Sequence, residues 1–248
     1  MSSFLCCCCL NDNSSSERQP LLNSNVKEGN GAGTARHSRP GQNVVYLKQN
    51  GSLQMRRVNV PELDQRFTDL AQTFNQHQER FETMVKGIRN LQKQYDCTRC
   101  DDMSLSECVG KIMQEWETRY KVTLKMKGYD FSLSVVPVSL EGETEEEPLP
   151  PALQYAQSEV RYISDRAKVT ISKSTTLQEL TGWLLRSQSK MIEQVHGAAE
   201  NYQEQGRLKE NLEENMREVR RAQESIQEYK QRAGEVLKEA AQIAEAQL

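Results

Sequence analysis

The sequence predicts a mainly α-helical protein. It reads as long amphipathic helices forming a coiled coil or helical bundle, with one or two small β-hairpins and a disordered N-terminal tether. Three observations predict this. Apolar residues recur in steps of four and three from Leu63 to Tyr95 without a fault. Two short stretches alternate apolar and polar residues around turn signals. The composition is 36% hydrophobic and 27% charged over 248 residues, against about 45–50% apolar in an ordinary globular chain. Such a chain suits long, partly exposed helices better than a thick core.

The clearest element is the helix over residues 61–95. Pro61 suits a first helical turn, because its missing N–H has no intrahelical partner there. The seam is Leu63, Phe67, Leu70, Phe74, His77, Phe81, Met84, Ile88, Leu91 and Tyr95. Phenylalanine at positions 67, 74 and 81 is bulky for a tight two-stranded dimer, which favours a bundle of three or more helices. His77 is the one polar seam residue, read as a register-setting position.

A helix over 104–120 follows, opened by a Ser104–Glu107 capping box, with Leu105, Cys108, Val109, Ile112, Trp116 and Tyr120 on one side. The hairpins are expected at 44–58, around Asn50-Gly51, and at 122–136, around Lys127-Gly128-Tyr129-Asp130. A lone two-stranded hairpin is marginal in water, so each needs a surface to dock on. Glu141, Glu143, Glu145, Glu146 and Glu147, closed by Pro148, Pro150 and Pro151, form an acidic linker over 141–151 and the best internal boundary.

The C-terminal block, 152–248, is helical again. Leu153, Ala156, Val160, Ile163 and Ala167 keep helical spacing, and Thr176 to Glu179 resembles a cap for a new helix. The register from Leu180 through Leu184 and Met191 is interrupted by polar residues. It improves at Leu208, Leu212, Val219, Ala222, Ile226, Tyr229, Ala233, Val236, Ala240 and Ile243, with Asn215 as a register-setting position. An alanine- and tyrosine-rich seam is weak, so this helix needs a partner chain or the first helix.

The first ten residues carry a different signal. Cys6, Cys7, Cys8 and Cys9 are consecutive, flanked by Phe4, Leu5 and Leu10. Adjacent cysteines pair poorly as disulfides, and consecutive positions lack zinc-ligand spacing. S-acylation fits: the apolar residues dip into the bilayer, and each buried methylene of an acyl chain then contributes about 0.8 kcal/mol. Ser2 stands where N-myristoylation needs glycine. The cluster resembles the N-terminal cysteine clusters of palmitoylated peripheral proteins.

Glu17, Leu21 and Leu22 then match an acidic dileucine pattern, which resembles the clathrin-adaptor signals of endosomal and lysosomal cargo. Two leucines would enter an apolar slot while the carboxylate meets a basic patch. Residues 11–43 read as a flexible tether. Through Val60 there are seven basic and three acidic residues, a supporting attraction toward an anionic leaflet.

Several classes are excluded or disfavoured. No apolar run of about 18 residues exists, so a membrane-spanning helix is not expected. A pI near 5.8 disfavours a general nucleic-acid binder. No phosphate loop, dinucleotide fingerprint or hydrolase or kinase signature appears, so neither catalysis nor a cofactor is expected. Cys97, Cys100 and Cys108 offer three thiols toward zinc with Asp101 or Asp102 to complete the set; reduced structural cysteines are the simpler reading.

Together these features predict a lipid-anchored coiled-coil scaffold or adaptor on the cytoplasmic face of endosomal–lysosomal membranes. Plasma membrane and Golgi are the other compartments such an anchor serves. Its partners would be the membrane, proteins meeting its helices and a clathrin adaptor, in an oligomer or a complex. The layout is similar to that of acylated scaffold subunits which place a complex on late endosomes and lysosomes. The alternatives are a structural homo-oligomer without a trafficking role and a zinc-dependent interaction module.

Overall fold

A computed structural model describes residues 51–97, 104–138 and 148–245. The elements, in chain order, are α1 (Pro61–Gln94), α2 (Ser106–Trp116), β1 (Tyr120–Lys127), β2 (Asp130–Pro137), α3 (Pro151–Arg186), α4 (Gln188–Ala198) and α5 (Tyr202–Glu245). The protein is mainly helical, with one antiparallel hairpin among the described residues.

α1, α3 and α5 form an up-down-up bundle. α1 runs antiparallel to α3: Asn90 meets Glu159, His77 meets Ser174 and Arg66 lies over Trp183. α3 runs antiparallel to α5, with Gln178 bonded to Gln227 and Lys230. α5 is therefore parallel to α1, and Tyr229 stacks on Phe81 at 4.2 Å between centroids. The sequence leaves open whether the two helical blocks pack together; they do, and the acidic linker joins neighbours in one bundle. Residues 139–147 of that linker lie outside the described residues, and Pro151 is already the first residue of α3.

α1 forms as its sequence predicts. Pro61 sits at its start, Glu62 and Asp64 complement the positive end of the helix dipole, and Lys93 the negative end. It ends at Tyr95, with Asp96 at φ +49° and a Cys97 N–H to Gln92 carbonyl bond of 2.7 Å, a Schellman-type closure.

Three local expectations are corrected. The capping box at Ser104–Glu107 does not form: α2 starts at Ser106 without a side-chain cap of its own, and Glu107 pairs with Lys111 instead. The cap comes from α5. Glu239 accepts from the Leu105 and Ser106 N–H groups at 2.9 Å and from the Ser104 and Ser106 hydroxyls. Burial alone would raise the pKa of the Glu239 carboxyl, but these bonds outweigh it and hold it below the ordinary value. α2 also stops at Trp116, short of 120, because Tyr120 already begins β1.

The second correction concerns Thr176–Glu179. α3 runs through it unbroken, and Leu180 is only half-buried. The buried seam is Leu153, Ala156, Val160, Ile163, Ala167, Thr170, Ser174, Leu177, Thr181 and Leu184, again in steps of three and four. It passes the break at Ser187 and continues with Met191 and Val195 of α4.

The third correction is the hairpin at 44–58. Residues 44–50 lie outside the described residues, and 51–58 form no strand. They form an extended strap that runs opposite to α5 in the groove between α1 and α5. Asn75 of α1 bonds both backbone groups of Leu53. Asn215 of α5 bonds both backbone groups of Arg56 at 2.7 Å. Asn211 donates to the Arg57 carbonyl, and Asp64 accepts from the Val58 N–H. These side chains do what a neighbouring strand would otherwise do for a buried backbone. Leu53 and Val58 are buried, at about 1.5–3 kcal/mol each. Asn59, at φ +57°, turns the chain into α1.

The other hairpin forms as predicted and slightly longer. β1 pairs with β2 in the register Tyr120↔Pro137 to Lys127↔Asp130, and Gly128 takes φ +62° at the turn. It docks on α3: the Phe131 N–H donates to Ser164 Oγ at 2.8 Å, Gln157 donates to the Leu133 carbonyl, and Lys168 pairs with Asp130.

Candidate functional site

The α1 seam is buried along its whole length, from Leu63 through Phe67, Leu70, Phe74, His77, Phe81, Met84, Ile88 and Leu91 to Tyr95. Of the C-terminal seam, Leu208, Leu212, Val219, Ile226 and Val236 are buried, and Ile243 is half-buried near the end of α5. The residues expected to bind partners thus cover one another inside a single chain. Cys6, Cys7, Cys8, Cys9, Glu17, Leu21 and Leu22 lie outside the described residues.

His77 is the centre of a buried polar layer. Its Nε2 lies 3.2 Å from Ser174 Oγ, and the Ser174 hydroxyl donates to the Thr170 carbonyl at 2.8 Å. The serine proton is committed to that carbonyl, so Nε2 carries the proton of the neutral imidazole and donates to Ser174. Nδ1 has no partner among the described residues. Tyr229 lies 5.7 Å from the imidazole centroid. Burial, aided by the positive charge of Arg80, lowers the His77 pKa to about 4. The ring is uncharged at neutral pH. It is a buried polar contact between α1 and α3.

Asn215 makes a second such contact, but its partner is the strap rather than a helix. The sequence flagged the residue and missed the partner. Asn75 carries the same chemistry from a position between seam residues of α1, where no periodicity marks it.

Cys97 and Cys108 are buried and free. Burial first, then a hydrogen bond with Cys97, pushes the Cys108 thiol well above its ordinary pKa. A thiol held protonated in this way is a poor nucleophile and a poor metal ligand. Cys100, Asp101 and Asp102 lie outside the described residues. Among the described residues no group of three His, Cys, Asp or Glu side chains could hold a metal ion.

The bundle is open at one end. α1 begins near the level of Trp183, so α4 and the first turns of α5 extend past it as a pair. A cavity of about 400 Å³ opens there, lined by Ile192, Val195, His196, Tyr202, Lys209 and Leu212 among others. Ile192 and Tyr202 are 42% and 88% exposed because no third helix covers them. Periodicity could not have found this feature, since it comes from the relative lengths of helices far apart in sequence.

No helix among the described residues is long and apolar enough to cross a membrane. No family model, curated protein or solved structure matches this chain.

Proposed function

We propose that this protein is a lipid-anchored, non-enzymatic scaffold or adaptor subunit on the cytoplasmic face of endosomal–lysosomal membranes. Acyl chains on Cys6 to Cys9 hold the N-terminus at the bilayer, and the Glu17–Leu21–Leu22 signal selects the compartment. The observation that carries the reading is the placement of four consecutive cysteines among apolar residues, with an acidic dileucine motif starting only eight residues after Cys9. Two or more acyl chains are what stable anchoring requires.

The bundle lends a second kind of support. Its seams are covered within one chain, so it stands as a preformed module and needs no second copy to hide them. Partner choice then falls to its charged outer surface, where most ion pairs are exposed and individually weak. Such a surface suits exchangeable contacts.

The test is a variant with Cys6, Cys7, Cys8 and Cys9 all changed to Ser, compared with the parent by hydroxylamine-sensitive acylation, fractionation and imaging. The parent is expected to be acylated and to sit on endosomal membranes, and the variant to be cytosolic. Equal solubility of two unacylated proteins would end the proposal. Changing Leu21 and Leu22 together to Ala should keep acylation while moving the protein to other membranes; unchanged location would remove the sorting role.

A further inference from the structure

The hairpin that docks on α3 has a second face. Pleating sends Tyr120, Val122 and Leu124 into the core and leaves Lys121, Lys125 and Lys127 exposed on the opposite side. Their cross-strand partners are Val136, Ser132 and Asp130. The Asp130 carboxylate is already taken, because Lys168 Nζ holds it at 2.7 Å. No ion pair of Lys121, Lys125 or Lys127 is found among the described residues. A shallow groove between the hairpin and α3 adds Arg161 beside Lys125 and Lys127, with Asp165 as the opposing acid. Exposed apolar groups stand at both ends of this face: Tyr129 at the turn, and Val136 and Val138 at the far end.

We infer that this face docks the bundle on an anionic bilayer surface. The chemistry is that of a surface, not of a headgroup pocket. The lysines lie about 7 and about 13 Å apart along one strand. They are exposed and not converging on a point, so they match charge spread over a plane. Tyr129 adds an amphipathic ring of the kind that sits well at a membrane–water interface. The longest helix is no rival: α5 and its approach from Ala198 onward carry eight basic and eleven acidic residues. Docking through the hairpin would fix which side of the bundle turns toward the cytosol, something an acyl chain on a long tether cannot do.

The inference rests on the membrane reading above for its location, but its test uses unacylated protein, so the two can fail separately. Full-length protein carrying the four Cys-to-Ser changes is sedimented with vesicles of phosphatidylcholine alone or with added phosphatidylserine. Binding is expected only to the phosphatidylserine vesicles, with release by salt. Lys121→Glu, Lys125→Glu and Lys127→Glu together should weaken the partition coefficient by about a hundredfold or more. The matched set Lys86→Glu, Lys190→Glu and Lys238→Glu should change it by no more than about threefold, because scattered charges lie farther from the surface than the screening length. A Gln version of the hairpin set, which leaves no new like charges, should still weaken it by about tenfold or more. Circular dichroism melts establish that each variant is folded. Changing Glu141, Glu143, Glu145, Glu146 and Glu147 to Gln should leave binding equal or tighter. Equal binding to both vesicles, an equal loss in the two Lys→Glu sets, or binding to polyglutamate and not to vesicles would each overturn the inference.

Discussion

α1 and α3 pack against each other along their lengths, yet their seams have opposite character. α1 presents Phe67, Phe74 and Phe81; α3 presents Ala156, Ala167, Thr170, Ser174 and Thr181. Each is a poor coiled-coil strand by itself, one too bulky and the other too small and polar. The His77–Ser174 register brings the two seams together, and Phe74 and Phe81 also stack on Tyr229 of α5, so bulk on α1 is shared between two neighbours. Gly87 extends the arrangement: a Cβ there would stand 3.0 Å from Ile163 Cγ1 and 3.1 Å from Glu159 Oε1, so glycine lets the helices approach. The Ser174 and Thr181 hydroxyls cost little, since they donate to carbonyls four residues back in their own helix, whereas the buried Thr170 hydroxyl has no hydrogen-bond partner among the described residues. A seam can therefore be judged only against the surface it meets.

The sharpest way to break this pairing is from the large side. Phe81 is fully buried and stacked on Tyr229. Phe81→Ala should cost about 3–5 kcal/mol by denaturant melting, since it removes the ring stacked on Tyr229 and a packed interior relaxes only partly into the cavity left. A loss below about 1 kcal/mol would mean that the Phe81 ring is not what holds α1 in place.

A second effect comes from the buried His77 contact. The folded-state pKa of His77 is lowered to about 4, whereas the unfolded chain titrates near its ordinary 6.5. Between those values the unfolded state binds more protons, so stability is full above the unfolded pKa and falls as pH drops. From about pH 7.5 to about pH 5 the loss from this group should be about 2 kcal/mol. Chemical denaturation at both pH values checks it, with His77→Leu as the comparison. If the variant loses as much stability as the parent, His77 is not the titrating group.

The smallest effect tests the close approach. Gly87→Ala gains about 1 kcal/mol of helix propensity but must push Ile163 aside within a packed interface. The expected net result is a loss of about 1 kcal/mol or less, read from the melting midpoint. A variant more stable than the parent would show that the helices have room to spare there.

Much of the fold was legible from the chain. α1 could be read almost to the residue, because ten seam positions, His77 and nine apolar or aromatic residues, stand out against polar neighbours. The hairpin at Gly128 was legible because its alternation and its turn residue agree. The middle of α3 was not legible beyond Ala167. Its seam turns to threonine and serine, and those residues are buried because α3 packs between α1 and α5, with His77 meeting Ser174. The strap at 51–58 was misread for a related reason. Its extended backbone does need partners, as a strand would, but they are asparagine side chains from α1 and α5. Glu239 caps a helix more than a hundred residues away, and no local box could announce it.

The sequence alone determined the helical class, the α1 seam, the hairpin at Gly128, and the cysteine cluster and dileucine pattern on which the proposed function rests. These are local patterns, fixed by spacing along one stretch of chain. The tertiary structure alone decided which seams face each other, that they close within one chain, and that Glu239 of α5 caps the start of α2. Those outcomes depend on distances between residues remote in sequence. Burial, pairing and hydrogen-bond satisfaction belong to such pairs, and one stretch of chain holds only half of each.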